Sequence, residues 1–142
     1  MTNDDLMNKL IILREVKLFE KLSSEVLFAV AKEIQWREAI KEERLFSAGD
    51  LANGLYIIAS GKVRIEFEGK LTSLLGPYDF FGEIGVLSDI PRLGSAIMEE
   101  DGMLLYMDNA TFNDLSYDFP EMMQTVTHVV VGYLQKALVP PA

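Results

Sequence analysis

The chain has 142 residues, 49% hydrophobic and 25% charged, a balance suited to one domain with a real core. Its formal net charge is −9, which argues against a nucleic-acid-binding face and against adhesion to anionic membranes. With no cysteine, disulfides, thiolate metal sites and cysteine nucleophiles are excluded.

The acidic opening, Met1-Thr2-Asn3-Asp4-Asp5, is unlike the basic start of a secretory signal. Together with the lack of cysteine it fits a cytoplasmic protein. The longest apolar candidate, near Val126 to Val139, is interrupted by His128, Gln135 and Lys136. It falls short of the ~20 residues that span a bilayer, so no membrane insertion is expected.

Residues 4–34 read as helical. Thr2 is placed to cap a first helix, with Asp4 and Asp5 in its first turn. Leu6, Leu10 and Leu13 share one face, and Met7 and Ile11 another. A short turn is expected over Leu18-Phe19-Glu20-Lys21-Leu22. Ser23 or Ser24 starts a second helix that turns Leu27, Val30, Ala31 and Ile34 inward.

From about 35 to 107 the pattern is that of strands. Leu55-Tyr56-Ile57-Ile58 and Val63-Arg64-Ile65-Glu66-Phe67 flank Ser60-Gly61, and the second run alternates apolar with charged. Glu68-Gly69-Lys70 predicts a hairpin into Leu71-Thr72-Ser73-Leu74-Leu75, which Gly76-Pro77 breaks. Gly94 to Met98 and Met103 to Met107 are expected to pair around Asp101-Gly102. Many short strands with glycine punctuation imply a sandwich or a jelly-roll-like barrel.

The tail, about 109–138, is helical again. Asn109 is expected to cap a short helix to about Tyr117, and Pro120 sits near the start of the last one. There Met122, Val126, Val129, Val130, Tyr133 and Ala137 form a stripe that Met123, Leu134 and Leu138 widen. So apolar a helix must be covered by its own barrel or by a second subunit. The fold class is therefore mainly β with flanking helices, in a single domain over 1–142.

Chemistry concentrates in Phe80-Phe81-Gly82-Glu83-Ile84-Gly85-Val86-Leu87 and Pro91-Arg92-Leu93-Gly94-Ser95-Ala96. A glycine lets a ligand approach the backbone. A short helix after it presents N–H groups to an anion. A glutamate accepts from a sugar hydroxyl, and an arginine forks onto phosphate oxygens. Taken singly, Arg92 reads as a surface residue after a turn proline and Glu83 as a helix N-terminal carboxylate. Tyr78, Phe80 and Phe81 read as base-stacking or barrel-rim core residues. Lys62, Arg64 and Lys70 read as a solvated strand face, and Asp89, Asp101 and Asp108 as turn and cap residues.

These segments, in order with Leu18-Phe19, Phe46, Ala48-Gly49-Asp50, Leu55-Tyr56-Ile57 and Leu75-Gly76-Pro77, resemble the cyclic nucleotide-binding domain family from about Leu18 to Leu138. The resemblance implies a β-roll between N-terminal helices and two C-terminal helices, holding a cyclic nucleotide phosphate at Arg92. It implies that Gly82 admits the ribose, Glu83 holds its 2′-hydroxyl, and the Gly85 backbone meets an exocyclic phosphate oxygen, with Ile84 between them in the ligand-binding set. The amides around Leu93 and Gly94 would complete the cradle. Many ligand-binding members carry alanine, serine or threonine where Leu93 stands. The missing hydroxyl points to cyclic AMP over cyclic GMP.

With His128 the only histidine, a histidine-cluster metal site and a metal-dependent cupin are excluded. No dinucleotide glycine fingerprint, phosphate loop or nucleophile elbow appears. The expectation is a non-catalytic regulatory module with no cofactor beyond its nucleotide. It would signal through its C-terminal helices to an effector protein or domain, with a homodimer through the last helix and no nucleic acid bound by this chain alone. The alternative is an interaction or assembly domain that kept the barrel and lost the ligand.

Overall fold

The structure, a computed structural model, describes residues 3–86 and 90–138. Helix α1 (Asn3–Glu15), a 3-10 turn (Lys17–Phe19) and helix α2 (Ser24–Glu33) lead into eight strands. These are β1 (Gln35–Ala39), β2 (Arg44–Phe46), β3 (Gly54–Ser60), β4 (Val63–Phe67), β5 (Lys70–Leu75), β6 (Phe80–Phe81), β7 (Ser95–Met98) and β8 (Gly102–Asp108). A 3-10 turn over Glu83–Val86 follows β6, and helices α3 (Asn109–Asp118) and α4 (Glu121–Leu138) close the chain. Ser23 caps α2, accepting from the Val26 amide at 3.3 Å. Thr2 lies outside the described residues.

Two four-stranded antiparallel sheets form the roll, in the orders β1-β8-β3-β6 and β2-β7-β4-β5. The predicted hairpin between the last two strands does not form. β7 pairs with β2 and β4 in one sheet, while β8 pairs with β1 and β3 in the other. The Glu99–Asp101 link crosses between sheets, so strands adjacent in sequence are not neighbours in space. Adjacency predicts pairing only when both strands belong to one sheet.

β3 is buried on both faces. Leu55 and Ile57, with Leu105 and Met107 of β8, pack against α1, α2 and the C-terminal helices. Tyr56, Ile58 and Leu104 point the other way, into the roll, with Val63, Phe81, Ala96 and Met98. Leu27, Val30, Ala31 and Ile34 are all buried, as is Leu13 of α1, whereas Met7 and Ile11 are exposed. Lys9 is buried too. Its ammonium donates to the Ile34 carbonyl at 2.6 Å and lies 3.7 Å from the Asp5 carboxylate, which also accepts from the Trp36 indole. This network fastens α1 to the start of β1.

At the other end, α3 is capped by Asp108, not Asn109: the Asp108 carboxylate accepts from the Thr111 amide at 2.7 Å. That bond holds the Asp108 carboxyl below its ordinary value. Met122 and Val126 of α4 are fully buried, and Val129 and Val130 are half-buried. The predicted stripe is thus covered by the chain's own body along its first turns. Val131 and Leu134 on the outer side of the helix stay exposed.

Candidate functional site

Two turns decide where the cassette sits. The Gly76-Pro77-Tyr78-Asp79 turn closes with the Asp79 amide on the Gly76 carbonyl, and Tyr78 there adopts φ +72°. β6 follows, and Gly82 turns out of it at φ +82°. A side chain at Gly82 would be strained, and its Cβ would come within 3.0 Å of the Arg92 guanidinium. A Cβ at Gly85 would collide with the Ala52 methyl at 2.4 Å. In this structure both glycines are needed by the chain itself: one lets Arg92 approach, the other lets the 3-10 turn lie on the loop before β3.

A pocket of about 470 Å³ opens between the two sheets and the last helix. All seven residues singled out from the sequence, Gly82, Glu83, Ile84, Gly85, Arg92, Leu93 and Gly94, line it. So do Phe80 and Phe81; Tyr78, Lys62, Arg64 and Lys70 do not. Arg64 is instead held by Glu42, Glu66 and Glu99 at 2.8–3.1 Å. Asp101 accepts from the Lys41 amide in a turn, and Asp89 lies outside the described residues. His128 is exposed, away from the pocket.

Arg92 is only 8% exposed, yet among the described residues no carboxylate pairs with it. Its Nη1 donates to the Gly82 carbonyl at 3.0 Å, and its Nη2 to the Gly54 carbonyl at 2.6 Å and to the Asn53 side chain at 3.5 Å. The Nε is buried and without a partner among the described residues. Cζ lies 4.2 Å from the centre of the Phe46 ring. Burial pulls the guanidinium pKa down, against the attraction of Tyr56, Tyr106, Glu83 and Asp50, and the group remains a cation. A buried cation bonded to neutral carbonyls is a site with one positive charge to offer.

Glu83 is 6% exposed and accepts from the Tyr133 hydroxyl of α4 at 2.6 Å on Oε1. Burial, then the bond to Glu83 and its charge, push the Tyr133 phenol well above its ordinary value. Glu83 keeps Oε2 for a second donor. The first amides of a single 3-10 turn have no partner within it, and the Glu83–Val86 turn lies along the pocket wall. Asn109 ties this turn to α3: its amide donates to the Ala52 carbonyl at 2.8 Å and the Gly85 carbonyl at 3.2 Å.

Sequence reading missed Tyr133 as a pocket residue, took Asn109 only for a helix cap, and missed Asn53 and Gly54 altogether. Their contacts span 24 to 57 positions, and local patterning carries no signal at that range. Phe46 belongs to the family pattern in the sequence, and only the structure sets its ring against Arg92.

The sequence model for the cyclic nucleotide-binding domain matches residues 36–117, more than half of the chain, and the chain belongs to that family. It is similar to the CRP-like cAMP-activated global transcriptional regulator of Mycobacterium tuberculosis, 27% identical over 130 residues, covering 88% of this chain and 58% of that protein. The solved Catabolite Activator Protein of Thermus thermophilus superposes with a TM-score of 0.78 at 30% identity, over 85% of this chain and 59% of the other. The regulatory domain of Toxoplasma gondii PKA, crystallised with cAMP, gives 0.74 at 26% identity, over 81% and 46%. The chain thus spans little more than half the length of the first curated relatives it matches. Among the described residues no helix is long and apolar enough to cross a membrane.

Proposed function

We propose that this domain is a non-catalytic regulatory module that binds a cyclic nucleotide, cyclic AMP in preference to cyclic GMP. The observation that carries the reading is Arg92, a buried guanidinium with no carboxylate partner among the described residues. Removing such a cation from water costs several kcal/mol on the order-of-magnitude scale, and an anion in the pocket would offset it. Arg92 and Glu83 are the charged side chains among the described lining residues. One cation suits the single charge of a cyclic phosphate better than the near-dianion of a 5′-monophosphate.

In this reading the phosphate meets Arg92 and the amides of Ile84, Gly85, Leu93 and Gly94, and the ribose 2′-hydroxyl donates to Glu83. The tyrosine on Glu83 connects ligand to helix, so nucleotide binding biases the position of α4 and signals to an effector protein or domain. The exposed side of α4, with Val131 and Leu134, is the surface for a second copy of the chain. Similarity to a cAMP-activated transcriptional regulator and to a PKA regulatory domain crystallised with cAMP supports the ligand class.

A second reading, an assembly domain without a ligand, is favoured by the bond Tyr133 already makes to Glu83 and by Leu93, which is 69% exposed and offers no hydroxyl. Isothermal titration with cyclic AMP, cyclic GMP and 5′-AMP separates the two. The regulatory reading expects cyclic AMP to bind tightest, and at 100 times its Kd to add ~2.7 kcal/mol of stability. No heat and no thermal shift with any of the three would favour assembly.

A further inference from the structure

We propose that Phe46 is a positioning residue for the anion site: its ring face holds the Arg92 guanidinium in place of a counter-ion. The inference rests on the reading of Arg92 as the phosphate-binding cation. A buried arginine is ordinarily fixed by a carboxylate. A carboxylate here would neutralise the cation and repel an arriving phosphate. An aromatic face attracts the guanidinium through the negative side of its quadrupole without adding a full charge. It therefore anchors the cation and leaves its charge for the ligand.

The geometry fits that role. Cζ of Arg92 lies 4.2 Å from the Phe46 ring centre. The two terminal nitrogens are held by the Gly82 and Gly54 carbonyls. Those bonds restrain the edge of the guanidinium, and the ring restrains its face. The Nε–H stays without a partner among the described residues. Phe46 is itself fixed by Tyr56 at 5.9 Å and Phe81 at 6.1 Å, and those two rings stack at 5.0 Å. The main chain of Arg92 is tied to the loop just after Phe46, its amide donating to the Asp50 carbonyl at 2.8 Å and its carbonyl accepting from the Gly49 amide at 2.7 Å. One short segment thus holds Arg92 by backbone and side chain together. No carboxylate does so among the described residues.

The test is a series in which Phe46 is replaced by mono-, di- and trifluorophenylalanine, which drain the ring face of electron density with little change of shape. Cyclic AMP affinity is measured by titration. It should fall stepwise, by about three- to thirtyfold over the series, and Phe46→Leu should lose at least as much. Unchanged affinity across the series overturns the proposal, because packing alone is indifferent to ring electronics.

If the parent binds no cyclic nucleotide, the functional reading fails, but the contact is still measurable. The same fluorination series is then read as thermal midpoints, without nucleotide, in the parent and in Arg92→Met. A decline confined to the chain that keeps Arg92 supports the positioning role, and parallel declines in both overturn it.

Discussion

The Tyr133 hydroxyl donates to Glu83 Oε1 at 2.6 Å, joining the last helix to the floor of the pocket across 50 positions of sequence. Met122 and Val126 seat the first turns of α4 on the body of the chain, so Tyr133 acts further out, where the helix leaves the core. A group bound to Glu83 is in this way one bond from α4.

Tyr133→Phe should therefore separate the helix from the pocket without unfolding the domain. The expected loss of stability is ~1 kcal/mol, that of one hydrogen bond. The bond also sets a pH dependence. The folded pKa of Tyr133 is raised above its ordinary 10.0, so the contribution is complete below pH 10 and is lost as pH rises through the folded value. Denaturation followed from pH 8 upward should show the parent losing stability in this window faster than Tyr133→Phe. Identical slopes would mean that the phenol and the carboxylate do not interact in solution.

Arg92→Met should have opposite effects on binding and folding. Cyclic nucleotide affinity should fall by more than tenfold, since removing one partner of a buried charged contact costs ~2–5 kcal/mol. Stability without nucleotide should hold or rise, because a buried cation with no carboxylate partner among the described residues is replaced by an apolar side chain of similar reach. Titration and thermal melts on the same preparation check both. An affinity equal to the parent's would place the ligand elsewhere.

Glu83 is expected to read the ribose. The parent should bind 2′-deoxy cyclic AMP more weakly than cyclic AMP, by about tenfold for one hydrogen bond to a charged group. In Glu83→Ala the difference should vanish, since the acceptor is gone. If that variant still distinguishes the two ligands, another group reads the hydroxyl.

Tyr78 sits at φ +72° in an exposed turn, a conformation that costs an L-residue ~1–2 kcal/mol. Glycine carries no such cost, though it gains freedom when unfolded. Tyr78→Gly should stabilise the domain by about 0.5–1 kcal/mol net. A variant that melts below the parent would show that the tyrosine ring contributes packing outweighing the strain.

Association, if it runs through α4, must use the side that the domain leaves exposed. Val131→Glu with Leu134→Glu, at 44% and 57% exposure, should halve the mass seen by light scattering while leaving the fold intact. Glutamate at Val126, which is fully buried, would unfold the chain instead. A parent already monomeric at the same concentration removes the dimer.

Local pattern carried much of the molecule. Leu27, Val30, Ala31 and Ile34 recur at helical spacing and are buried, and Ser23 is a cap by its residue type. β3, β4, β5, β7 and β8 were legible from alternation and turn chemistry, whereas β1, β2 and β6 were not marked out singly, and the cassette residues were legible because they lie within thirteen positions of one another, from Gly82 to Gly94. Periodicity reports which face of an element is buried and nothing about what it is buried against. Only the closed roll decided that β7 and β8 belong to different sheets. The cap at α3 went to Asp108 because Asn109 is drawn to the carbonyls of Ala52 and Gly85. Tertiary structure likewise placed the carbonyls of Gly54 and Gly82 on Arg92 and the phenol of Tyr133 on Glu83. Each is a bond between groups that the chain encodes separately, and each exists only once the sheets have set the distance between them.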